Sequence, residues 1–134
     1  MAELNAVRER MDSIPIFKTL GFRVDGLASG EAKLTVPYEP RYDGIFKSYH
    51  GGLLMTLADT AACVAVLTLA ELDAKVTTTD MNIRFLAACR SDAMAHAKVI
   101  KFGKTLCPVS VEICDRNGTA VAVAQVTYMR LSAA

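Results

Sequence analysis

Net charge, paired cysteines and clustered metal ligands are what this 134-residue chain has least of, and each shortage removes a class of function. Lysine and arginine number 15 against 14 aspartates and glutamates, a net charge of +1. No overall field therefore draws the chain to nucleic acid or to an anionic membrane. The four cysteines, Cys63, Cys89, Cys107 and Cys114, form no C-x-x-C pair, and three of them lie in apolar or alternating segments. That pattern suits buried free thiols in a reducing compartment, not a disulfide framework. The two histidines, His50 and His96, stand at no zinc-like spacing from a cysteine or carboxylate pair, so no metal is expected. The first fifteen residues interleave acids and bases and hold no apolar run of the secretory kind, which makes a cytoplasmic protein the expectation.

Apolar material, by contrast, is plentiful: 52% of the residues are hydrophobic, enough for one sizeable core spanning residues 1–134. Residues 53–70 approach the length of a bilayer span, but Asp59 and three threonines interrupt them. A lone carboxylate in lipid is costly, and no second span is present to shelter it, so this stretch reads as a buried helix of a soluble domain.

The hydrophobic period changes twice along the chain. Leu4, Val7, Met11 and Ile14 recur at helical spacing until Pro15, giving a short opening helix within an N-terminal helical segment, 1–18. A strand pair follows over 22–27 and 32–38, around Ala28-Ser29-Gly30, and then a polar loop over 39–48. The central helix, residues 53–72, is apolar almost all round except for one stripe of Thr56, Asp59 and Thr60. From Val76 the period falls to two, with Met81, Ile83 and Phe85 facing one way and Thr78, Asp80, Asn82 and Arg84 the other. Three more strands are expected over 93–102, 106–115 and 120–131, turning at Gly103-Lys104 and Asn117-Gly118. An α+β fold follows, a curved antiparallel sheet wrapped around one long helix.

Two features carry possible chemistry. His50-Gly51-Gly52 stands where the long helix begins, and first-turn amides have no intrahelical acceptor, so they suit developing negative charge on an acyl oxygen. The glycines could equally relieve crowding at a loop-to-helix junction. Asp59 lies about two turns into the helix, too far for a cap, and an ionised carboxylate there needs a partner or a task. General base, nucleophile and buried interfacial ion pair are the candidate roles. Eight residues at 1.5 Å rise separate the Gly51 amide from Asp59 by about 12 Å, so a single carbonyl can meet both only if they come from different subunits. An obligate dimer with two equivalent sites is the consequence.

In order and spacing, His50-Gly51-Gly52, Leu57-Ala58-Asp59-Thr60, Thr79-Asp80-Met81-Asn82-Ile83 and Gly103-Lys104-Thr105-Leu106 resemble the hotdog-fold acyl-CoA thioesterases of the PaaI type. The likeness spans residues 20–130 and implies a hotdog fold, paired into a homodimer and often doubled into a tetramer. It implies that Asp59 is the nucleophile or base, that the Gly51 amide polarises the thioester carbonyl, and that Thr78 orients the nucleophile or water. His50 would lie beside the site, in a structural or a catalytic role. Gly52, Gly103, Lys104 and Thr105 would meet the substrate, Lys104 as a point charge for a CoA phosphate; an ordinary hairpin turn is the plain alternative for the last three. No cofactor is implied, CoA being part of the substrate. The chain departs from the pattern at Gly44, where many members carry an asparagine. Alternatives to hydrolysis are a non-catalytic acyl-CoA binding protein and a hydroxyacyl-thioester dehydratase using His50 with Asp59. His96, between alanines, is expected to face solvent, and the acyl group itself is not specified by periodicity.

Overall fold

The long apolar helix lies against one face of a six-stranded antiparallel sheet, the hotdog arrangement. The computed structural model describes residues 3–131. In chain order they form α1 (Leu4–Asp12), α2 (Pro15–Leu20), β1 (Arg23–Ala28), β2 (Glu31–Val36), a 3-10 turn (Pro40–Tyr42), α3 (Gly51–Leu67), β3 (Val76–Phe85), β4 (Ala93–Val99), β5 (Leu106–Cys114) and β6 (Ala120–Arg130). Strand order is β1-β2-β4-β5-β6-β3, which leaves β1 and β3 as edges.

α3 packs chiefly on β4, β2 and β5. The two surfaces that meet are unusually small-grained: Ala58, Ala61, Ala62 and Ala65 from the helix, Ala93, Ala95 and Ala97 from β4, all buried. Alanines on both sides let the helix axis come close to the middle of the sheet, while larger side chains close the flanks. Leu34, Val36, Leu57, Val109, Val111 and Ile113 fill those flanks with almost no exposure. Each contributes about 1.5–3 kcal/mol by leaving water. α1 adds Val7 and Met11 from one side.

Three details differ from the sequence pattern. Pro15 does not merely end the opening helix; it sits at the first position of α2, where its missing N–H costs no hydrogen bond, and Gly21 with φ of 70° then closes that short helix. The central helix starts two residues earlier than its apolar run, at Gly51, and ends at Leu67. Just past its end Thr68, fully buried, donates to Ala65 O (2.6 Å) and accepts from the Gly30 N–H (2.8 Å), tying the helix end to the β1–β2 turn.

The third difference changes which face a site residue occupies. Strict alternation puts Thr78 opposite Met81, but Thr78 pairs with Tyr128 and Asp80 with Thr127, so Thr79 is an extra, bulged residue. The bulge resets the parity and brings Thr78 to the helix-facing side with Met81 and Ile83. His96 does lie on the outer face, half-buried, with Nε2 at 2.8 Å from Glu31 Oε1. Among the described residues all four cysteines are free, and Cys89 and Cys107 are buried.

Candidate active site

Asp59 is half-buried on the one polar stripe of α3, with Thr56 and Thr60. The threonines are satisfied within the helix, Thr56 donating to Gly52 O (3.1 Å) and Thr60 to Thr56 O (2.7 Å). Asp59 instead reaches the sheet. Thr78 Oγ1 from β3 donates to Asp59 Oδ1 at 2.7 Å, and the Tyr128 hydroxyl from β6 donates to the same oxygen at 2.8 Å. Tyr128 also lies 3.0 Å from the Asp59 main-chain oxygen. Oδ2 accepts from no described residue.

One turn further along α3, the Cys63 thiol lies against the same group. Burial pushes it up to about 11; the Tyr128 hydroxyl pulls it down and the Asp59 charge pushes it further up. Cys63 is thus a neutral thiol at neutral pH, not a nucleophile. Burial, and next the neighbouring Cys63, raise the Tyr128 phenol well above its ordinary range, so it remains a hydrogen-bond donor.

At the other end, α3 begins on His50, whose Nδ1 accepts from the Gly52 N–H at 3.0 Å. The cap occupies Gly52 and leaves the Gly51 amide, a first-turn donor, without an intrahelical acceptor. Space at Gly51 is tight: a Cβ there would come within 3.1 Å of Phe85 Cζ, so the ring would have to give way by a few tenths of an ångström. Tyr49 N–H bonds Cys89 O (2.8 Å), tying the start of the helix to the chain after β3. Two surface cavities flank this terminus. One, of about 390 Å³, is lined by Asp43, His50, Gly52 and Thr56 among others. The second, of about 400 Å³, is lined by Gly51, Leu54, Phe85 and Leu86 among others.

The structure therefore joins Asp59 with Thr78, and groups His50, Gly51 and Gly52, but within one protomer these two clusters lie at opposite ends of the first two turns of α3. Gly103, Lys104 and Thr105 occupy the β4–β5 connection, with Lys104 and Thr105 exposed. Gly103 admits no side chain, since a Cβ would fall 2.2 Å from Leu106 O. Arg130 braces this loop: its Nη1 donates to Gly103 O (3.2 Å), its N–H to Thr105 O (2.7 Å), and its guanidinium stacks 4.2 Å from the Phe102 ring. The register Cys107–Tyr128–Thr78 across β5, β6 and β3 puts the loop at the same end of the sheet as Asp59. Gly44 offers no side chain to either cluster; its N–H closes a turn on Ser48 O (2.8 Å). Tyr128 and Arg130 are the residues that sequence reasoning missed. An inward tyrosine near the end of an otherwise small-residue strand is the available signal for the first.

A cavity of about 660 Å³ lies elsewhere, on the outer face of the sheet among Arg23, Asp25, Lys33, His96 and Glu112. Three of the charged groups there have partners: Arg23 pairs with Asp25 (2.8 Å), Asp25 accepts from Thr35, and His96 lies against Glu31. Asp59 differs from these groups in that it lies within an apolar helix and one of its carboxylate oxygens accepts from no described residue.

A model of the Thioesterase superfamily matches residues 46–122, more than half of the chain and a span that contains His50, Gly51, Asp59 and Thr78. The chain belongs to the thioesterase superfamily. A solved thioesterase family protein from Silicibacter pomeroyi is 30% identical and superposes with a TM-score of 0.90, covering 96% of this chain and 98% of that one. The PaaI protein of E. coli, 23% identical, shares the fold with a TM-score of 0.88 over 96% and 92% of the two chains. Human acyl-coenzyme A thioesterase 13 is 31% identical over 91 residues, 66% of this chain and 64% of that protein. At the level of the superfamily the chain is a thioester hydrolase. No helix among the described residues is long and apolar enough to cross a membrane.

Proposed function

We propose that this superfamily member hydrolyses an acyl-CoA or aryl-CoA thioester to the free acid and CoA. The carrying observation is the Asp59 carboxylate, held by hydroxyls on Oδ1 and open on Oδ2 in the middle of an apolar helix. In this reading Oδ2 either removes a proton from an attacking water or attacks the thioester carbon itself. The carbon–sulfur bond breaks, the CoA sulfur leaves and takes a proton, and water supplies the acid's new oxygen. The Gly51 amide stabilises the oxyanion. Lys104 and Thr105 take the nucleotide end of CoA, and no metal or further cofactor is called on.

A second copy of the chain completes each site. β3 is a ten-residue edge strand whose Phe85 is half-exposed, the kind of edge that seeks a partner. Gly51 abuts Phe85 at one end of β3, and Asp59 bonds Thr78 at the other, about 20 Å away. Antiparallel pairing of two β3 strands about a twofold near Met81–Asn82 sets Thr78 of one protomer opposite Phe85 of its partner. That pairing delivers Asp59 from one protomer to the Gly51 amide of the other, and a dimer of dimers is compatible with it.

The test is free-thiol release from a panel of aromatic and straight-chain acyl-CoAs. Asp59→Asn is expected to lose about 10²–10⁴-fold in turnover while remaining folded, and Thr78→Ala less. Equal turnover in wild type and Asp59→Asn rejects the assignment. Saturable binding without product release from folded wild type would favour the non-catalytic acyl-CoA binding protein.

A further inference from the structure

We infer that Tyr128 is a positioning residue for the reaction, acting with Thr78 as a two-donor clamp on a single carboxylate oxygen of Asp59. The inference rests on the hydrolytic reading above and adds a residue and a division of labour to it.

A free aspartate side chain rotates about two bonds, and its two oxygens exchange roles with every half-turn of the carboxylate. Here the rotation is blocked. Thr78 Oγ1 at 2.7 Å and the Tyr128 hydroxyl at 2.8 Å both donate to Oδ1, from two different strands. The strands are neighbours, with Thr78 and Tyr128 directly opposite each other in the ladder, so the two donors are held at a fixed separation by the sheet. With Oδ1 occupied twice, Oδ2 is the oxygen left to meet water or substrate, whichever chemical route operates. Tyr128 also lies within hydrogen-bond distance, 3.0 Å, of the Asp59 main-chain oxygen, which ties the backbone at this position of α3 to β6.

Several features argue that the phenol is there for Asp59 and not merely to fill the core. The tyrosine is 5% exposed, and a buried hydroxyl costs free energy unless it is hydrogen-bonded. Both hydrogen bonds that the phenol donates go to Asp59, and its other polar neighbours are the Thr78 hydroxyl and the Cys63 thiol one turn along the same helix. The other helix-facing residues of β6, Ala122, Ala124 and Val126, are small and apolar. The bulge at Thr79 serves the same end, because without it Thr78 could not share a face with Met81 while remaining opposite Tyr128.

The test compares Tyr128→Phe, Thr78→Val, Thr78→Ser and the Tyr128→Phe/Thr78→Val double variant with wild type and Asp59→Asn, on the best acyl-CoA of the panel. Binding of a non-hydrolysable thioether analogue and the urea midpoint are measured alongside. Tyr128→Phe is expected to lower kcat about 10- to 100-fold with KM and analogue affinity within about twofold, since a misplaced reacting group costs rate and not binding. Thr78→Ser, which keeps its hydroxyl, should stay near wild type, whereas the double variant should approach the level of Asp59→Asn. Wild-type kcat in Tyr128→Phe, or a parallel loss of kcat and analogue affinity, overturns the clamp while leaving Asp59 in its role. A double variant that turns over far faster than Asp59→Asn also overturns it. If wild type and Asp59→Asn turn over alike, the hydrolytic reading and the clamp fail together.

Discussion

His50 caps α3 through Nδ1, which can accept the Gly52 N–H only while that nitrogen carries no proton. Its ring is exposed and its Nδ1 is already engaged, so the role the geometry supports is fixing the first turn that presents Gly51. Asparagine is among the best residues at this position and alanine among the poor ones. His50→Ala should therefore lose about 1 kcal/mol in urea unfolding while His50→Asn loses only a few tenths. Both should keep most of their turnover in the thiol-release assay. A His50→Asn variant that is fully stable yet inactive would move the imidazole from the helix cap into the chemistry. Gly52 belongs to the same local argument, for a Cβ there would sit 3.1 Å from His50 Nδ1 and press on the cap.

Among the elements, the β4–β5 connection has little room to change shape. Gly103 faces a backbone oxygen, that of Leu106, which cannot swing aside as a side chain would. Gly103→Ala must displace the loop that Arg130 braces from below, and with it Lys104 and Thr105. The expected outcome is a rise in KM for CoA esters of about tenfold, with kcat changed much less, because in the proposed reading the loop meets the nucleotide and not the reacting carbon. Steady-state kinetics with a full-length CoA ester and with a short pantetheine thioester would check it. The shorter substrate should be indifferent to the substitution.

How far these elements were legible in the sequence depends on whether local pattern or long-range contact decides them. The six strands, the buried central helix and the Asn117-Gly118 turn could be read directly, since periodicity and turn chemistry are local; Gly118 indeed adopts a positive φ of 81°. Asp59 and the glycine pair were legible because a carboxylate and a helix-opening glycine pair are conspicuous in an apolar run. The face of Thr78 was not legible, because an alternating pattern carries no mark of a bulge, and the bulge depends on pairing with β6. Tyr128 escaped for a related reason: 69 residues separate it from Asp59, and only the strand order brings them together. The second helix was hidden by Pro15, which ends one helix and begins another with equal ease.

For the whole molecule, the division of each proposed site between two chains has a direct genetic test. A protomer with Asp59→Asn retains an intact Gly51, and a protomer with Gly51→Val retains an intact Asp59; the valine would press on Phe85, 3.1 Å from where its Cβ must go. Each variant alone should be inactive. Unfolding the two together at equal concentration and refolding them should restore about a quarter of wild-type activity, since half the dimers are hybrids and each hybrid has one complete site of two. Continued inactivity of the mixture, with hybrids demonstrated by native mass, would place both groups of a site in one chain.

The long edge strand β3 holds Phe85 and its Gly51 at one end and Thr78 and its Asp59 at the other, too far apart to cooperate alone. If two such strands must meet before any substrate is turned over, protein concentration becomes a control on the enzyme. Specific activity would hold steady at concentrations above the dissociation constant of the pair and fall away on dilution below it, with half-sites waiting, intact and folded, for a second molecule.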